Sequence, residues 1–286
     1  MTTDRTHLQK RAEGVEIVPF TTDHLEGAWR LSQAESWPHR VEDWALTLSV
    51  SQGVVALYDG EIVGTSLCSL FGDVATLNMI VVDGRMRGRG LGRLMMEKII
   101  AIAGDREQRL VATQDGIPLY EKMGFVGQGR IVQHQGIVGP VPALDETVRE
   151  ADADTMAADL EAICQMDMAA SGMSRAKLLA GIALAGGTVL IADGGFAMLR
   201  RFGRGQVVGP IVANSTETAK TLISAAAVRC EGAFLRLDVP AEYELSGFIE
   251  KLGLAHAGGG LSMTRAAKRR DPQDVKTYAL VSQALG

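Results

Sequence analysis

The sequence predicts an α/β chain that uses one mixed, mostly antiparallel sheet unit flanked by helices twice over. Three observations carry this. Strand-like segments come in runs joined by tight turns, which builds antiparallel neighbours, and single helices interrupt them, which builds a mixed sheet. A strand runs into the glycine-rich stretch "VVDGRMRGRGLGRLMM" (81–96) and on at once into a helix. The order strand, short helix, strand at "LVAT…LYEKMGF" returns in the second half as "LRLDV…FIEKLGL".

Residues 15–20, "VEIVPF", read as a strand. A helix follows, with Thr22 or Asp23 as N-cap and Leu25, Ala28, Trp29 and Leu31 on one stripe. A second helix is expected to begin near Pro38 and to carry Trp44, Leu46 and Leu48. Asp59-Gly60 marks a hairpin inside "GVVALYDGEIVGTSLCSLF", and "VATLNMIVV" supplies a third strand in a row. After the glycine stretch, Leu91, Leu94, Met95, Ile99 and Ile102 fall at helical offsets up to Gly104. "RLVAT" is a strand, "IPLYEKMGF" a short helix ended by Gly124, and "GQGRIVQHQG" a closing strand.

Glycines and prolines cluster in "GIVGPVPALDE". The expected division is a first domain over 1–138, a linker over 139–146 and a second domain over 147–286. In the second half, two helices precede the hairpin "TVLIAD-GG-FAMLRRF", and strand, helix, strand, helix and strand follow. The tail "DVKTYALVSQALG" is modestly apolar and is expected to pack on a domain.

The chain has 286 residues, enough for two cores. Its 29 basic and 34 acidic residues give a net charge of −5, which argues against nonspecific binding to nucleic acid or an anionic membrane. Cys68, Cys164 and Cys230 lie far apart, so neither a disulfide framework nor a metal-ligand spacing is expected. The N-terminal stretch lacks the apolar run of a signal peptide, and no run reaches the length of a membrane span. The expectation is a cytoplasmic protein.

The glycine stretch carries the chemistry. The first amides of a helix have no internal partner, and the helix dipole makes that end partially positive. Gly88, Gly90 and Gly92 let an anion approach the backbone, and Arg85, Arg87, Arg89 and Arg93 surround them. Four arginines within nine residues repel one another unless an anion is shared. A Walker loop is absent, and Arg93 stands where a dinucleotide fingerprint needs its third glycine. The pattern that fits is R-x-x-G-x-G, from Arg87 to Gly92.

With these residues the stretch resembles the pyrophosphate loop of the GCN5-related N-acetyltransferases, the GNAT family, which bind acetyl-coenzyme A. Gly84 stands where that family often has proline. "IPLYEKMGF" is similar to the family's second signature, and Tyr120 follows Gly90 by thirty residues. The resemblance spans about residues 15–135 and implies two GNAT-like domains, the second degenerate. It implies that Ile80, Val81 and Val82 present backbone to the pantetheine arm and the acetyl oxygen, on a strand that splays from its neighbour. It also implies that the amides from Gly88 through Arg89, Gly90, Leu91, Gly92 and Arg93, beside Arg87, take the pyrophosphate. Tyr120 matches the family's general acid, being protonated at neutral pH and able to supply the departing thiolate. A plain core tyrosine is the competing reading. Thr113 stands where relatives often carry a cofactor-contacting asparagine.

The family has no fixed base. Glu35, His39, Glu42 and Asp43 in "ESWPHRVEDW" are candidates, and Glu35, Trp37, His39 and Asp43 are expected to shape the acceptor pocket. Against this, Trp44 reads as core, and His39 after Pro38 reads as a surface residue. The segment "WPH…EDW" also resembles a subgroup of bacterial acetyltransferases with a second GNAT-like domain.

In the second half the equivalent strand exit is "VANSTETAKTLI", with no glycine and no arginine. Asn214 or Ser215 is expected to cap the helix, with Glu217 in its first turn, so no coenzyme A site is expected there. Phe248 falls near the place of Tyr120 and cannot donate a proton. Covering the acceptor pocket and forming a homodimer are the two roles considered for this half. The function implied is an acetyl-coenzyme A-dependent N-acetyltransferase acting on a small primary amine. A non-catalytic acyl-coenzyme A sensor is the alternative.

Overall fold

The structure, a computed structural model, describes residues 14–141 and 148–286. Most of the expected linker lies outside the described residues. The first half runs β1 (Val15–Pro19), α1 (Leu25–Ala34), α2 (Val41–Ser49), β2 (Ser51–Tyr58), β3 (Glu61–Phe71) and β4 (Val74–Val82). It continues with α3 (Leu91–Ala103), β5 (Glu107–Ala112), α4 (Ile117–Lys122) and β6 (Val126–Ile137). The second half runs β7 (Arg149–Glu150), α5 (Met156–Ser171), α6 (Ala176–Leu184), β8 (Thr188–Ala192), β9 (Gly195–Phe202) and β10 (Gly205–Ala213). Then come α7 (Thr216–Arg229), β11 (Phe234–Pro240), α8 (Ser246–Lys251), β12 (Ala255–Arg265) and β13 (Lys276–Ala279).

Local chemistry sets most of these boundaries. Asp59 and Gly60 both take positive φ, 50° and 79°, as a tight hairpin turn demands. The second helix starts at Val41 and not near Pro38. Arg40 is still extended, and its amide donates to the Asp43 carboxylate at 2.9 Å, which fixes the helix start three residues later.

The sheet order is what the local pattern does not contain. Its path is β1-β2-β3-β4-β5-β12-β6-β11-β10-β9-β8-β7, with β13 paired to β10. Within one unit β6 would close beside β5. Instead β12, from the second half, pairs antiparallel with β5 from Leu261 opposite Ala112 to Arg265 opposite Gln108. In turn β6 pairs with β11 from Phe234 opposite Ile137 to Pro240 opposite Ile131. Each half therefore lends its closing strand to the other, and the sheet runs unbroken across the expected domain boundary.

The two faces of this sheet differ. On the outer face, α3 and α4 cover Cys68, Leu77, Leu110 and Ala112 together with Met263 of the exchanged β12. Farther along, α7 and α8 cover Ala197, Leu199, Leu235 and Leu237. The inner faces of the two halves meet in a seam, where Phe71 and Val74 pack with Leu178, Phe196, Met198, Val281 and Leu285. Burying these side chains contributes about 1.5–3 kcal/mol each. The alternation along β9 is the strand period of two, with Ala197 and Leu199 outward and Phe196 and Met198 toward the seam.

A fragment ending at residue 141 keeps an open β5 edge and loses Met263 from its core. It is expected to show no cooperative thermal transition alone. Co-expression with the 142–286 fragment should restore a single transition, measurable by circular dichroism.

Candidate active site

The glycine stretch forms a short 3-10 turn at Gly84–Met86 and then enters α3 through Gly90, which is left-handed at φ 80°. Gly88 is also left-handed at φ 74°, and a Cβ there would meet nothing within 4 Å. No side chain caps α3. The amides of residues 88–92 donate to no acceptor among the described residues, and the first helical bond runs from the Leu94 amide to the Gly90 carbonyl. These amides stand at the positive end of a helix, with open space at Gly88.

The arginines are engaged differently from the sequence argument. Arg85 pairs with Asp83 at 2.8 Å and Glu61 at 3.4 Å, Arg87 with Glu35 at 2.5 Å, and Arg93 with Glu97 at 3.1 Å. The hydrogen bonds from Arg85, more than the slight opposing burial, hold the Asp83 carboxyl below its ordinary value. Carboxylates thus relieve the repulsion among three of the four arginines, Arg89 excepted, and the anion-binding capacity rests on the amides and Arg89.

Strand β4 leads into this loop. It pairs in parallel with β5 only from Val74 opposite Glu107 to Thr76 opposite Arg109. Beyond that the two strands part, leaving the β5 side of Ile80, Val81 and Val82 outside the ladder. A bulge marks the departure. Thr65 opposes Val81 and Leu67 opposes Asn78, so β4 has one residue more than β3 there, and Met79 takes φ 49°. The Thr65 hydroxyl donates to the Met79 carbonyl at 2.7 Å and holds the bulge.

Tyr120 reaches the same place from α4. Thr113, exposed after β5, accepts from the Gly116 and Ile117 amides at 3.0 and 3.3 Å and turns the chain into that helix. Pro118 occupies its first turn. A Cβ on Gly116 would lie 2.7 Å from the Tyr120 ring and 3.3 Å from its hydroxyl, so the ring needs that glycine. A Cβ on Gly92 would touch Val82 and Leu119, both at 3.8 Å, which places loop, strand end and α4 side by side. The ring is 8% exposed and meets Phe125 edge-on at 6.1 Å. Burial pushes its phenol up to about 12.

Of the four expected pocket residues, Trp37, His39 and Asp43 lie together, and Glu35 faces the loop. Glu35, at the end of α1, is held by Arg87 of the loop. Asp43 is buried and accepts from Arg40 twice, from the Arg40 amide and from the Gly203 amide of the second half. Burial raises its carboxyl, and these donors outweigh it and hold the pKa below the ordinary value. Glu42 lies exposed in the first turn of α2. His39 is half-buried, and its Nδ1 is buried with no hydrogen-bond partner among the described residues. It packs against Trp37 at 5.5 Å and edge-on to Phe202 at 5.2 Å. Burial, then the Arg236 charge, lowers its imidazole to about 4, so it is neutral and weakly basic at neutral pH. Arg200 and Arg236 flank Phe202 at 5.0 and 5.1 Å. This end of the seam joins the halves.

Space lies elsewhere in the seam. A cleft of about 420 Å³ has Thr76 and Arg109, the last β4–β5 pair, in one wall with Val111. Tyr243, Thr277 and Gln283 of the second half line it too. Sequence reasoning did not find these residues, because they are far apart in the chain and belong to no motif. Among the described residues no cluster of His, Cys, Asp and Glu could hold a metal ion, and no helix is long and apolar enough to cross a membrane.

Comparison with known proteins matches this geometry from both ends of the chain. Residues 18–125 match the acetyltransferase (GNAT) family, and residues 163–279 match an acetyltransferase (GNAT) domain. The chain belongs to the GNAT family. An uncharacterized N-acetyltransferase of Bacillus subtilis, YitH, is 29% identical over 285 residues, covering 95% of this chain and 98% of its own. A crystal structure from Pyrococcus horikoshii, provisionally described as an acetyltransferase, superposes with a TM-score of 0.81 at 22% identity, covering 96% of each chain. A tandem GNAT protein from the clavulanic acid biosynthesis pathway superposes at 0.62 with 15% identity, over 90% of this chain and all of that one.

The second GNAT copy closes both features that the first leaves open. Ser215 caps α7 by accepting from the Thr218 amide at 3.1 Å, with Glu217 in the first turn. Strands β10 and β11 pair only at Gln206–Leu235 and Val207–Arg236, and β13 then pairs with β10 over Ile211–Ala213. The Leu280 amide donates to the Asp238 carbonyl at 2.9 Å, so the tail bridges to β11 as well. The gap that stands open between β4 and β5 is filled here by the chain's own tail. Ile249, fully buried, holds the place in α8 that Tyr120 holds in α4, one position later than the Phe248 expected.

Asp43→Asn should lower stability at neutral pH, because a buried pair broken at one partner costs about 3–5 kcal/mol. The depressed carboxyl stabilises the fold above its unfolded value near about pH 4, and that stabilisation is lost as pH falls through the lower folded value. The gap between wild type and Asp43→Asn in denaturant titrations is therefore expected to narrow as pH drops from about 5 toward 2.

Proposed function

We propose that the protein is an N-acetyltransferase that uses acetyl-coenzyme A as co-substrate and acetylates a small primary amine. The observation that carries this is the opening between β4 and β5 beside an uncapped helix N-terminus, present in the first copy and filled in the second. The residues fit the group. The open amides of residues 88–92 suit the pyrophosphate, and the unladdered β4 edge at Ile80, Val81 and Val82 suits the amide-bearing pantetheine arm. The co-substrate supplies an activated acetyl thioester.

Tyr120 serves as the acid in this reading. The acceptor nitrogen forms a C–N bond to the acetyl carbonyl carbon as the C–S bond breaks. Sulfur takes the Tyr120 proton, and the nitrogen gives its own proton to water. With its phenol pushed up to about 12, Tyr120 stays protonated through the neutral range. Asp43, spent on Arg40 and Gly203, is not the base in this scheme. A non-catalytic acyl-coenzyme A sensor is the second reading, and retention of Tyr120 in an otherwise apolar α4 pocket favours the enzyme.

Thiol release from acetyl-coenzyme A with a panel of small amines is the test. Tyr120→Phe is expected to lower kcat by about 100-fold or more with little change in coenzyme A affinity. Full activity in that variant removes Tyr120 from the scheme. Gly90→Glu, which puts a carboxylate and a strained φ at the head of α3, is expected to abolish coenzyme A binding in calorimetry.

A further inference from the structure

Asn78 is 5% exposed and sits on β4 between the last β4–β5 pair at Thr76 and the bulge at Met79. Its Nδ2 donates to the Ser69 hydroxyl at 2.9 Å, the Thr76 carbonyl at 3.1 Å and the Thr76 hydroxyl at 3.2 Å. The Thr76 carbonyl only accepts, so the amide cannot be flipped, and Oδ1 is turned away from these partners. That Oδ1 is buried and has no hydrogen-bond partner among the described residues. An orphaned buried acceptor costs about 1–3 kcal/mol. Here it stands at the point where the sheet opens.

A second orphan lines the adjoining cleft. The Thr277 hydroxyl, on β13 of the second half, is buried without a partner among the described residues. Thr76 both accepts from Asn78 and forms a wall of that cleft. Arg130, Glu242, Arg270 and Lys276 also line it, and Arg109 is tied to Glu107 at 2.6 Å and to the Ser171 carbonyl at 2.8 Å. A cleft of about 420 Å³ lies in the range of small-molecule sites.

We infer that Asn78 Oδ1 receives an N–H of the acceptor amine and positions its nitrogen at the opening of β4, while the seam cleft holds the body of a small polar amine. This rests on the acetyltransferase reading above. The second half is then part of the acceptor site, through Tyr243, Thr277 and Gln283, and is not only a cover for it. Asn78 is a positioning residue: it accepts a hydrogen bond and takes no proton.

The test uses the full chain and the best amine from the panel. Asn78→Ala and the nearly isosteric Asn78→Leu are expected to raise the amine KM by about tenfold or more, with the KM for acetyl-coenzyme A unchanged. Calorimetry on protein saturated with coenzyme A should show the same loss of amine binding without turnover. Val111→Trp, which fills the cleft from β5 and leaves the partners of Asn78 in place, should do likewise if the Asn78 variants fold poorly. Amine KM and affinity unchanged within twofold in the Asn78 variants or in Val111→Trp, or an equal rise in the acetyl-coenzyme A KM, overturn the inference and leave acetyl transfer standing. A wild type that binds coenzyme A and acetylates nothing on the panel overturns the enzyme reading and this inference with it.

Discussion

Everything in this molecule depends on one backbone arrangement, the exchange of β6 and β12 between the two halves. A sheet edge left unpaired is a liability, and each half alone would end on one. By pairing β12 with β5 and β6 with β11, the chain converts two edges into one continuous ladder. The exchange also sets the geometry of the seam. Because side chains alternate along a strand, joining the sheets turns one face of each half inward, and that face carries Thr76, Arg109, Arg200 and Phe202.

The same fold is used twice with opposite outcomes at the strand opening. In both copies a strand pairs briefly with its parallel neighbour and then parts from it. In the first copy the opening is left to backbone amides and a glycine-led helix. In the second, β13 takes up the free edge of β10, and Ser215 satisfies the head of α7. The physical demand is common to both, since unsatisfied amides and carbonyls must find partners. One copy meets it within the chain, and the other leaves it to a ligand or solvent.

The seam divides its polar groups between structure and chemistry. At the α2 end, Asp43 is saturated by Arg40 and Gly203, and His39 is kept neutral by burial and by Arg236. These groups hold the halves in register. At the β5 end, Asn78 and Thr277 keep unsatisfied atoms beside a cleft. Residue type alone would have assigned the chemistry to the histidine and the aspartate. Unsatisfied atoms occur at both ends, with His39 Nδ1 and Arg200 Nε at the first, and what separates the second is the cleft beside it.

By itself the sequence determined the parts whose causes are local. Glycines at 88 and 90 need positive φ, Asp59-Gly60 makes its turn, and Ser215 can reach the amide three residues on. The strand, loop and helix around Arg87–Gly92, the short helix with Tyr120 and the capped second copy are all short-range consequences of this kind. The tertiary structure alone decided which strand stands beside β5, because either closing strand carries the same alternation and only long-range pairing chooses between them. It also turned His39 inward onto Phe202, tied Arg87 to Glu35, and placed Asn78 at the opening of the sheet. Each of those outcomes depends on a neighbour distant in the chain or on where a ladder ends, and no local spacing encodes either.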